Sequence, residues 1–304
     1  NDREVQQICP DAVAGWKLDG KRDLVIIPDN SRSGPVDQVF RQLYPLLAPR
    51  VKELNFLVAL GTHPPMTDAQ ILERVGLSAT EHRAKYPKAK FFNHAWKDPA
   101  QLTHVGDIPA DEIAGITSGL FRMDVKVTCN RMVTEHDLVI ILGPVFPHEV
   151  VGFSGGNKYL FPGVAGQEII DFFHWLGAVI TNVDIIGCKW TPVRKVVDHA
   201  ARLLSVERQA LCMVVKDGGL AGLYAGGPED AWSEAADLSA KLHIHYAGRR
   251  YRTVLSCAPK MYDDVWTGGK CMYKLEPVVD DGGTLIIYAP HITEISVTHG
   301  AILK

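Results

Sequence analysis

Residues 138–142, LVIIL, form a continuous apolar run rich in β-branched side chains, and Gly143-Pro144 ends it at once. A strand made of such a run has no polar face, so it must be covered on both sides, as in a largely parallel sheet flanked by helices. Similar short runs recur as DLVIIP at 23–28, NFLVAL at 55–60, KFFNH at 90–94 and TVLSC at 253–257, with further strands expected at 211–215 and 285–288. Several lead through a turn-rich loop into a segment with helical spacing. After the first come Val39, Leu43 and Leu46 or Leu47. After the second, Thr67-Asp68 reads as a helix start ahead of Ile71, Leu72 and Val75. Helices are also predicted from Gln167, over 194–204 and over 231–243, and a glycine-rich hairpin over 218–227. Residues 126–130 and 133–136 read as preparing the central strand. Strand, loop and helix in alternation predict an α/β fold. The pattern restarts at Tyr251, which predicts two domains, residues 1–248 and the start of a second α/β domain over 249–304. Each is expected to hold a central, largely parallel sheet flanked by helices.

Bulk properties exclude several classes. The chain has 304 residues with a net charge of −3, and no basic run of the kind that binds nucleic acid. No apolar run is long enough to span a bilayer, and no signal-peptide pattern opens the chain, so no membrane partner is expected. The six cysteines are scattered without CxxC or zinc spacing, which fits reduced packing residues and a cytoplasmic location.

The chemistry concentrates after the 138–142 run. Pro147-His148 is followed by Phe153-Ser154-Gly155-Gly156-Asn157-Lys158, then by Phe161-Pro162-Gly163-Val164-Ala165-Gly166, then by a helix carrying His174. Glycine-rich backbone after a buried strand can approach a ligand closely, and such loops are where α/β proteins place their sites. Taken singly, His148, Lys158 and His174 each admit a structural role. Earlier in the chain, the loop Asp29-Asn30-Ser31-Arg32 offers a planar guanidinium able to grip a carboxylate in two bonds. His63 lies in Gly61-Thr62-His63-Pro64-Pro65-Met66-Thr67 at another strand end.

The set PHxxxGFSGGxK, PGVAGxE and a following helical histidine, with GTHxxMT upstream, resembles the lactate racemase (LarA-like) family. The spacing agrees too, ten residues from His148 to Lys158 and sixteen more to His174. The resemblance implies a nickel-pincer nucleotide, a nickel pyridinium-3,5-bisthiocarboxylic acid mononucleotide, tethered covalently to Lys158, with nickel bound by His174 and the cofactor between the two domains. It implies His63 and His148 as the acid/base pair, and Asp29, Gly155 and Gly156 beside the cofactor. Arg32 and Lys260 would hold the substrate carboxylate. Asn157 stands where relatives often carry arginine, a change expected to alter a polar contact near the cofactor. Asn93-His94 matches a further family pair, with His94 read as structural, and Lys126, Thr128 and Asn130 as supporting polar groups. His291 and His299 receive no role. Family members continue beyond the point matching Lys304, so the second domain is expected to be incomplete.

The activity implied is racemisation or epimerisation of a 2-hydroxy acid by reversible hydride transfer through a 2-keto acid. Two histidines serve because both enantiomers must be handled. Partners would be a small 2-hydroxy acid and, transiently, the cofactor-synthesis enzymes. Pro64, Pro147-His148-Glu149 and residues 289–292 point to a substrate larger or more polar than lactate. Two alternatives remain beside this reading. An NAD-type oxidoreductase would need GxGxxG after the first strand, which is missing. A non-catalytic homologue binding a small hydroxy acid would have no need of His63, His148, Lys158 and His174 together. A zinc hydrolase finds no HExxH.

Overall fold

A computed structural model describes residues 2–297 and 300–303. The chain begins with α1 (Asp2–Ala14), β1 (Arg22–Pro28), α2 (Val36–Leu47), β2 (Glu53–Ala59), α3 (Asp68–Arg74), α4 (Ala79–Lys85) and β3 (Ala89–Asn93). Then come β4 (Leu102–Ile108), α5 (Ala110–Ile116), β5 (Val125–Asn130), α6 (Met132–Glu135) and β6 (Leu138–Pro144). A two-residue ladder, β7 (Pro147–His148) with β8 (Gly152–Phe153), precedes α7 (Gln167–Ile180), α8 (Asn182–Ile185) and α9 (Pro192–Arg202). After these run β9 (Glu207–Lys216), β10 (Gly219–Gly226) and α10 (Pro228–His243). The last stretch holds β11 (Tyr251–Cys257), α11 (Val265–Gly268), α12 (Lys270–Tyr273), β12 (Val279–Tyr288) and α13 (Gly300–Leu303).

Six strands form the main sheet in the order β10-β9-β6-β1-β2-β3. Neighbours run parallel, except that β10 returns antiparallel to β9 as the glycine-rich hairpin. This is a doubly wound order, in which the winding reverses between β1 and β6. Alternate residues explain the continuous apolar runs. Leu24, Ile26, Leu57, Val139 and Ile141 face one core, shared with Phe172 on α7, Val196 on α9 and Trp232 on α10. Val25, Ile27, Phe56, Val58, Ile140 and Leu142 face the other, shared with Cys9 on α1, Phe40 on α2 and Ile71 on α3. Each such side chain, fully buried, contributes on the order of 1.5–3 kcal/mol.

The structure departs from the sequence expectation in three places. Residues 125–130 do not lead into the main sheet; β5 pairs antiparallel with β4, a strand with no clear alternation of its own, in a separate two-stranded sheet. The following stretch is helical, as α6. Helix α1 went unread because Pro10 inside it looks like a breaker, although Val5, Cys9 and Val13 recur at four-residue steps and are buried. Beyond Ile244, no described residue joins either apolar core. There β11 and β12 form a two-stranded parallel sheet with Leu255, Ile286, Ile287 and Tyr288 exposed. Among the described residues no helix is long and apolar enough to cross a membrane. All six cysteines are free.

One buried charge stands out at the end of the sheet away from the loops after β1 and β6. Asp23 is fully buried, and neither carboxylate oxygen has a hydrogen-bond partner among the described residues. Burial raises its pKa from 3.8 to about 7, with Asp137 and Glu207 adding to the rise and Lys21 opposing it. A carboxyl raised in the fold carries no penalty below its unfolded value. It costs stability as pH climbs from about 4 to about 7, and the cost is complete above that. Asp23→Asn is therefore expected to be more stable than the parent at pH 8, by about 1–4 kcal/mol, and nearly neutral at pH 4. Urea denaturation at the two pH values checks this.

Candidate active site

The carboxyl ends of β1, β2 and β6 meet where the winding reverses, the crevice where doubly wound sheets bind ligands. After β1 the chain turns on Asp29, whose Oδ1 accepts the Ser31 N–H (3.2 Å) and hydroxyl (2.6 Å). Arg74, on α3, pins this loop from below by donating to the carbonyls of Pro28 (3.4 Å), Arg32 (2.9 Å) and Gly34 (3.2 Å). His63 arrives from the loop after β2 and sets Nδ1 2.5 Å from Asp29 Oδ2. Burial raises the Asp29 carboxyl, but His63, Arg32 and Ser31 more than offset this and leave it below the ordinary value. A carboxylate on Nδ1 fixes the tautomer with the lone pair on Nε2, so His63 is set as a base.

The His63 loop is braced from β3. Asn93 accepts the Met66 N–H (3.1 Å) and donates to the Met66 carbonyl (2.7 Å). His94 is buried, donates from Nε2 to the Ala165 carbonyl (2.9 Å), and accepts from Asn130 at Nδ1 (3.3 Å). Burial lowers its pKa to about 4, so it stays neutral and structural. Asn130 thus supports the site through His94. Thr128 is buried, and its carbonyl accepts the Gly166 N–H (3.0 Å); Lys126 is exposed.

The loop after β6 is held most tightly. Arg194 on α9 is completely buried and donates from Nη2 to the carbonyls of Phe153 (2.6 Å) and Gly155 (3.3 Å). Its guanidinium stacks 3.9 Å from the centroid of Trp232, whose indole N–H donates to the Ser154 carbonyl (2.9 Å). Asn157 turns to Asp198 (3.0 Å) and Glu229 (3.3 Å), so it braces the loop. Gly155 (φ +85°) and Gly156 (φ +57°) take left-handed backbone here, and a Cβ on them would meet Val145 at 2.5 Å and Trp232 at 2.8 Å. Only glycine fits.

That loop presents Lys158 and His148. Burial, with the charges of Arg32 and Lys270, lowers the Lys158 pKa from 10.5 to about 7. Burial also takes His148 well below the ordinary histidine range. Its Nδ1 accepts the Val150 N–H (3.1 Å), so the neutral ring carries its proton on Nε2. Nδ1 lies 3.7 Å from Glu149 Oε2, while Glu149 Oε1 binds Lys270 Nζ at 2.6 Å. Burial raises Glu149, but His148 and Lys270 outweigh it, so the carboxylate is held ionised. On α7, His174 donates from Nδ1 to the Ile170 carbonyl (2.8 Å), and among the described residues its Nε2 has no hydrogen-bond partner. Its protein surroundings lower its pKa, and Lys158 adds to this, although the residue as a whole is exposed.

Asp29, Arg32, His63, Gly155, Gly156 and Lys158 on loops or turns, His148 on β7 and His174 on α7 all lie at this crevice. Lys260 does not join them by any contact: it is exposed, and among the described residues it makes no hydrogen bond or ion pair. Lys270, ten residues on, is the C-terminal lysine that reaches the cluster. No motif singles out Lys270, because α12 is a single turn with little pattern. Glu149 was equally hidden; its signal was adjacency to His148. His291 donates to the Tyr262 carbonyl (3.0 Å), and His299 lies outside the described residues.

These features define a doubly wound α/β protein with two histidines, flanking carboxylates and a cationic rim at its switch point. The model of the lactate racemase N-terminal domain matches residues 12–184, which include every one of these groups except Lys270. The chain belongs to the lactate racemase family. It is 22% identical over 280 residues to the lactate racemase of Thermoanaerobacterium thermosaccharolyticum, and 24% over 277 residues to that of Lactiplantibacillus plantarum. Each match takes in 89% of this chain and 60% of the relative, so the chain spans about 60% of the curated relatives' length. A crystal structure of a Thermotoga maritima protein is similar with a TM-score of 0.86 at 31% identity, over 98% of this chain and 73% of that one. The lactate racemase apoprotein of T. thermosaccharolyticum shares the fold, with a TM-score of 0.76 at 20% identity, over 94% of this chain and 67% of that one.

The depressed Lys158 amine makes a direct prediction. An amine-reactive reagent such as fluorodinitrobenzene at pH 7.5 should modify Lys158 ahead of the exposed lysines, as read by peptide mass mapping. The rate should level off above a midpoint near pH 7, and Lys270→Met should move that midpoint upward. A rate still climbing above pH 10 would show an ordinary lysine.

Proposed function

We propose that this protein is a racemase or epimerase that inverts C2 of a 2-hydroxy acid, passing through the 2-keto acid, with the C2 hydrogen leaving and returning as hydride. The observation that carries this reading is the pairing of a base-set histidine, His63 on Asp29, with a second histidine, His148, beside a lysine of depressed pKa. Two acid/base groups are what a reaction running in both stereochemical directions requires.

The residues present fit the nickel-pincer nucleotide that the family implies. Lys158 is largely neutral above about pH 7, the form in which an amine can be acylated into a tether. His174 has its tautomer fixed by the Ile170 carbonyl and, among the described residues, an Nε2 with no hydrogen-bond partner, the arrangement of a metal-ligating histidine. Among the described residues no group of three or more His, Cys, Asp or Glu side chains could hold a metal ion. One histidine therefore suits a metal whose other ligands belong to an organic group. Bound there, that group would supply an acceptor for the C2 hydrogen with its electron pair, chemistry that no side chain provides.

The chain's own residues do the rest. Arg32 and Lys270 hold the substrate carboxylate by charge-assisted hydrogen bonds. His63, with its Nε2 lone pair, takes the hydroxyl proton, and Asp29 stabilises the imidazolium that forms. His148, with its proton on Nε2, faces the keto oxygen presented after the carbonyl turns over. The substrate preference proposed is for an acid larger or more polar than lactate. The family's cytoplasmic setting and its dependence on cofactor-synthesis enzymes are part of the same proposal.

Protein produced together with the cofactor-synthesis enzymes should interconvert the enantiomers or epimers of at least one of lactate, malate and gluconate. Intact mass should show an adduct that Lys158→Ala abolishes. His63→Ala and His148→Ala should keep the adduct and lose about 10²–10⁴-fold in kcat. Arg32→Met should act chiefly on KM. NAD-dependent oxidation of these acids without inversion would overturn the reading.

A further inference from the structure

Each of the two acid/base histidines has a carboxylate at Nδ1, but only one pair is closed. Asp29 Oδ2 lies 2.5 Å from His63 Nδ1, whereas Glu149 Oε2 lies 3.7 Å from His148 Nδ1. The difference has a visible cause. Glu149 Oε1 is bound to Lys270 at 2.6 Å, and the Val150 N–H occupies His148 Nδ1 at 3.1 Å. Both members of the Glu149–Lys270 pair are largely buried, with side-chain exposures of 15% and 20%.

We propose that Glu149 is the positioning carboxylate of His148, diverted to Lys270 in the free site and released when a substrate carboxylate takes the lysine. The inference rests on the functional reading above and deepens it. A substrate carboxylate presents Lys270 with the same partner that Glu149 now provides, so the two compete for one ammonium group. Once displaced, Glu149 is a buried anion needing a donor, and His148 Nδ1 lies 3.7 Å from its Oε2. A protonated His148 has N–H groups at both nitrogens. Glu149 accepts the one at Nδ1, His148 gives the one at Nε2 to the substrate oxygen, and the neutral ring left behind has its lone pair on Nε2, ready to act as a base in reverse. His148 is neutral in the free site, so the imidazolium forms by taking up one proton from solvent at Nδ1, where Glu149 replaces the Val150 N–H as partner. The Nε2 proton then passes between imidazole and substrate oxygen, while the Nδ1 proton stays on the ring, hydrogen-bonded to Glu149.

The connection of Lys270 to the rest of the molecule allows such a move. No described residue beyond Ile244 enters the apolar cores. Among the described residues, the polar ties from α12 and the turn after it to the main sheet's domain are the Glu149 pair and the bonds from Asn182 to the Tyr273 carbonyl (3.2 Å) and Glu276 (3.2 Å). Polar ties without a shared apolar core permit relative shifts.

Glu149→Gln separates this role from a merely structural one, because it keeps the shape and removes the charge. The full chain without cofactor is titrated calorimetrically with L-lactate, L-malate and D-gluconate. Loaded enzyme is assayed on the same acids, and melting confirms the fold of each variant. Expected is about tenfold tighter binding by Glu149→Gln, since Lys270 is freed, together with a KM that falls and a kcat that falls at least tenfold. Glu149→Asp should recover part of kcat. A structural contact would instead weaken binding and turnover together, and that result overturns the proposal. Binding and turnover by the wild type that Glu149→Gln leaves unchanged removes this inference alone. Neither binding nor turnover of any of the three acids by the wild type removes the functional reading, and this inference with it.

Discussion

The Arg194 guanidinium, without solvent contact, holds the loop on which the chemistry depends. An isolated charge in such a place would cost several kcal/mol. Here Nη2 is satisfied by two loop carbonyls, the ring of Trp232 lies against the cation, and Asp198 stands 3.7 Å from Nη1. Burial lowers its pKa only to about 10, so it is charged at neutral pH. Three successive carbonyls, of Phe153, Ser154 and Gly155, are thereby fixed by α9 and α10 just before Lys158. The glycines at 155 and 156 are the counterpart of this clamp, since a side chain at 156 would collide with Trp232 itself and one at 155 with Val145.

The first loop follows the same logic. Arg74 spends its guanidinium on the carbonyls of Pro28, Arg32 and Gly34. That leaves Asp29 and Arg32 at the mouth of the crevice. Rigid supports of this kind matter because the side chains they present bear opposing charges at close range. Lys158 is pushed toward neutrality by burial and by Arg32 and Lys270, while Glu149 is kept ionised by His148 and Lys270, and Asp29 by His63 and Arg32. A mobile loop would let these groups collapse into ordinary ion pairs.

Much of this was legible in the sequence, because alternation and loop composition report directly on burial and turns. The runs at 23–28, 55–60 and 138–142 became β1, β2 and β6, and the glycine–lysine–histidine succession fell at their carboxyl ends. What escaped was chemistry that depends on distant partners. Arg194 read as one basic residue in an amphipathic helix, and nothing local shows that it reaches back to Phe153. Lys260 stood at a strand end where a substrate lysine was expected, but it is exposed, and Lys270 reaches Glu149 from a single helical turn. Residues 126–130 read only as preparing the central strand, and their pairing with β4 in a separate sheet escaped because a buried strand looks the same whichever sheet it joins and β4 has weak alternation.

The central claim is that the C2 hydrogen leaves as hydride to a shielded acceptor while His63 and His148 handle only oxygen-bound protons. It is tested most directly by racemising a 2-deuterated hydroxy acid in ordinary water with cofactor-loaded protein and measuring deuterium in the product by mass spectrometry. The account expects most of the deuterium to be retained at C2 of the inverted product. Complete washout, as in proton exchange through a histidine base, would contradict it.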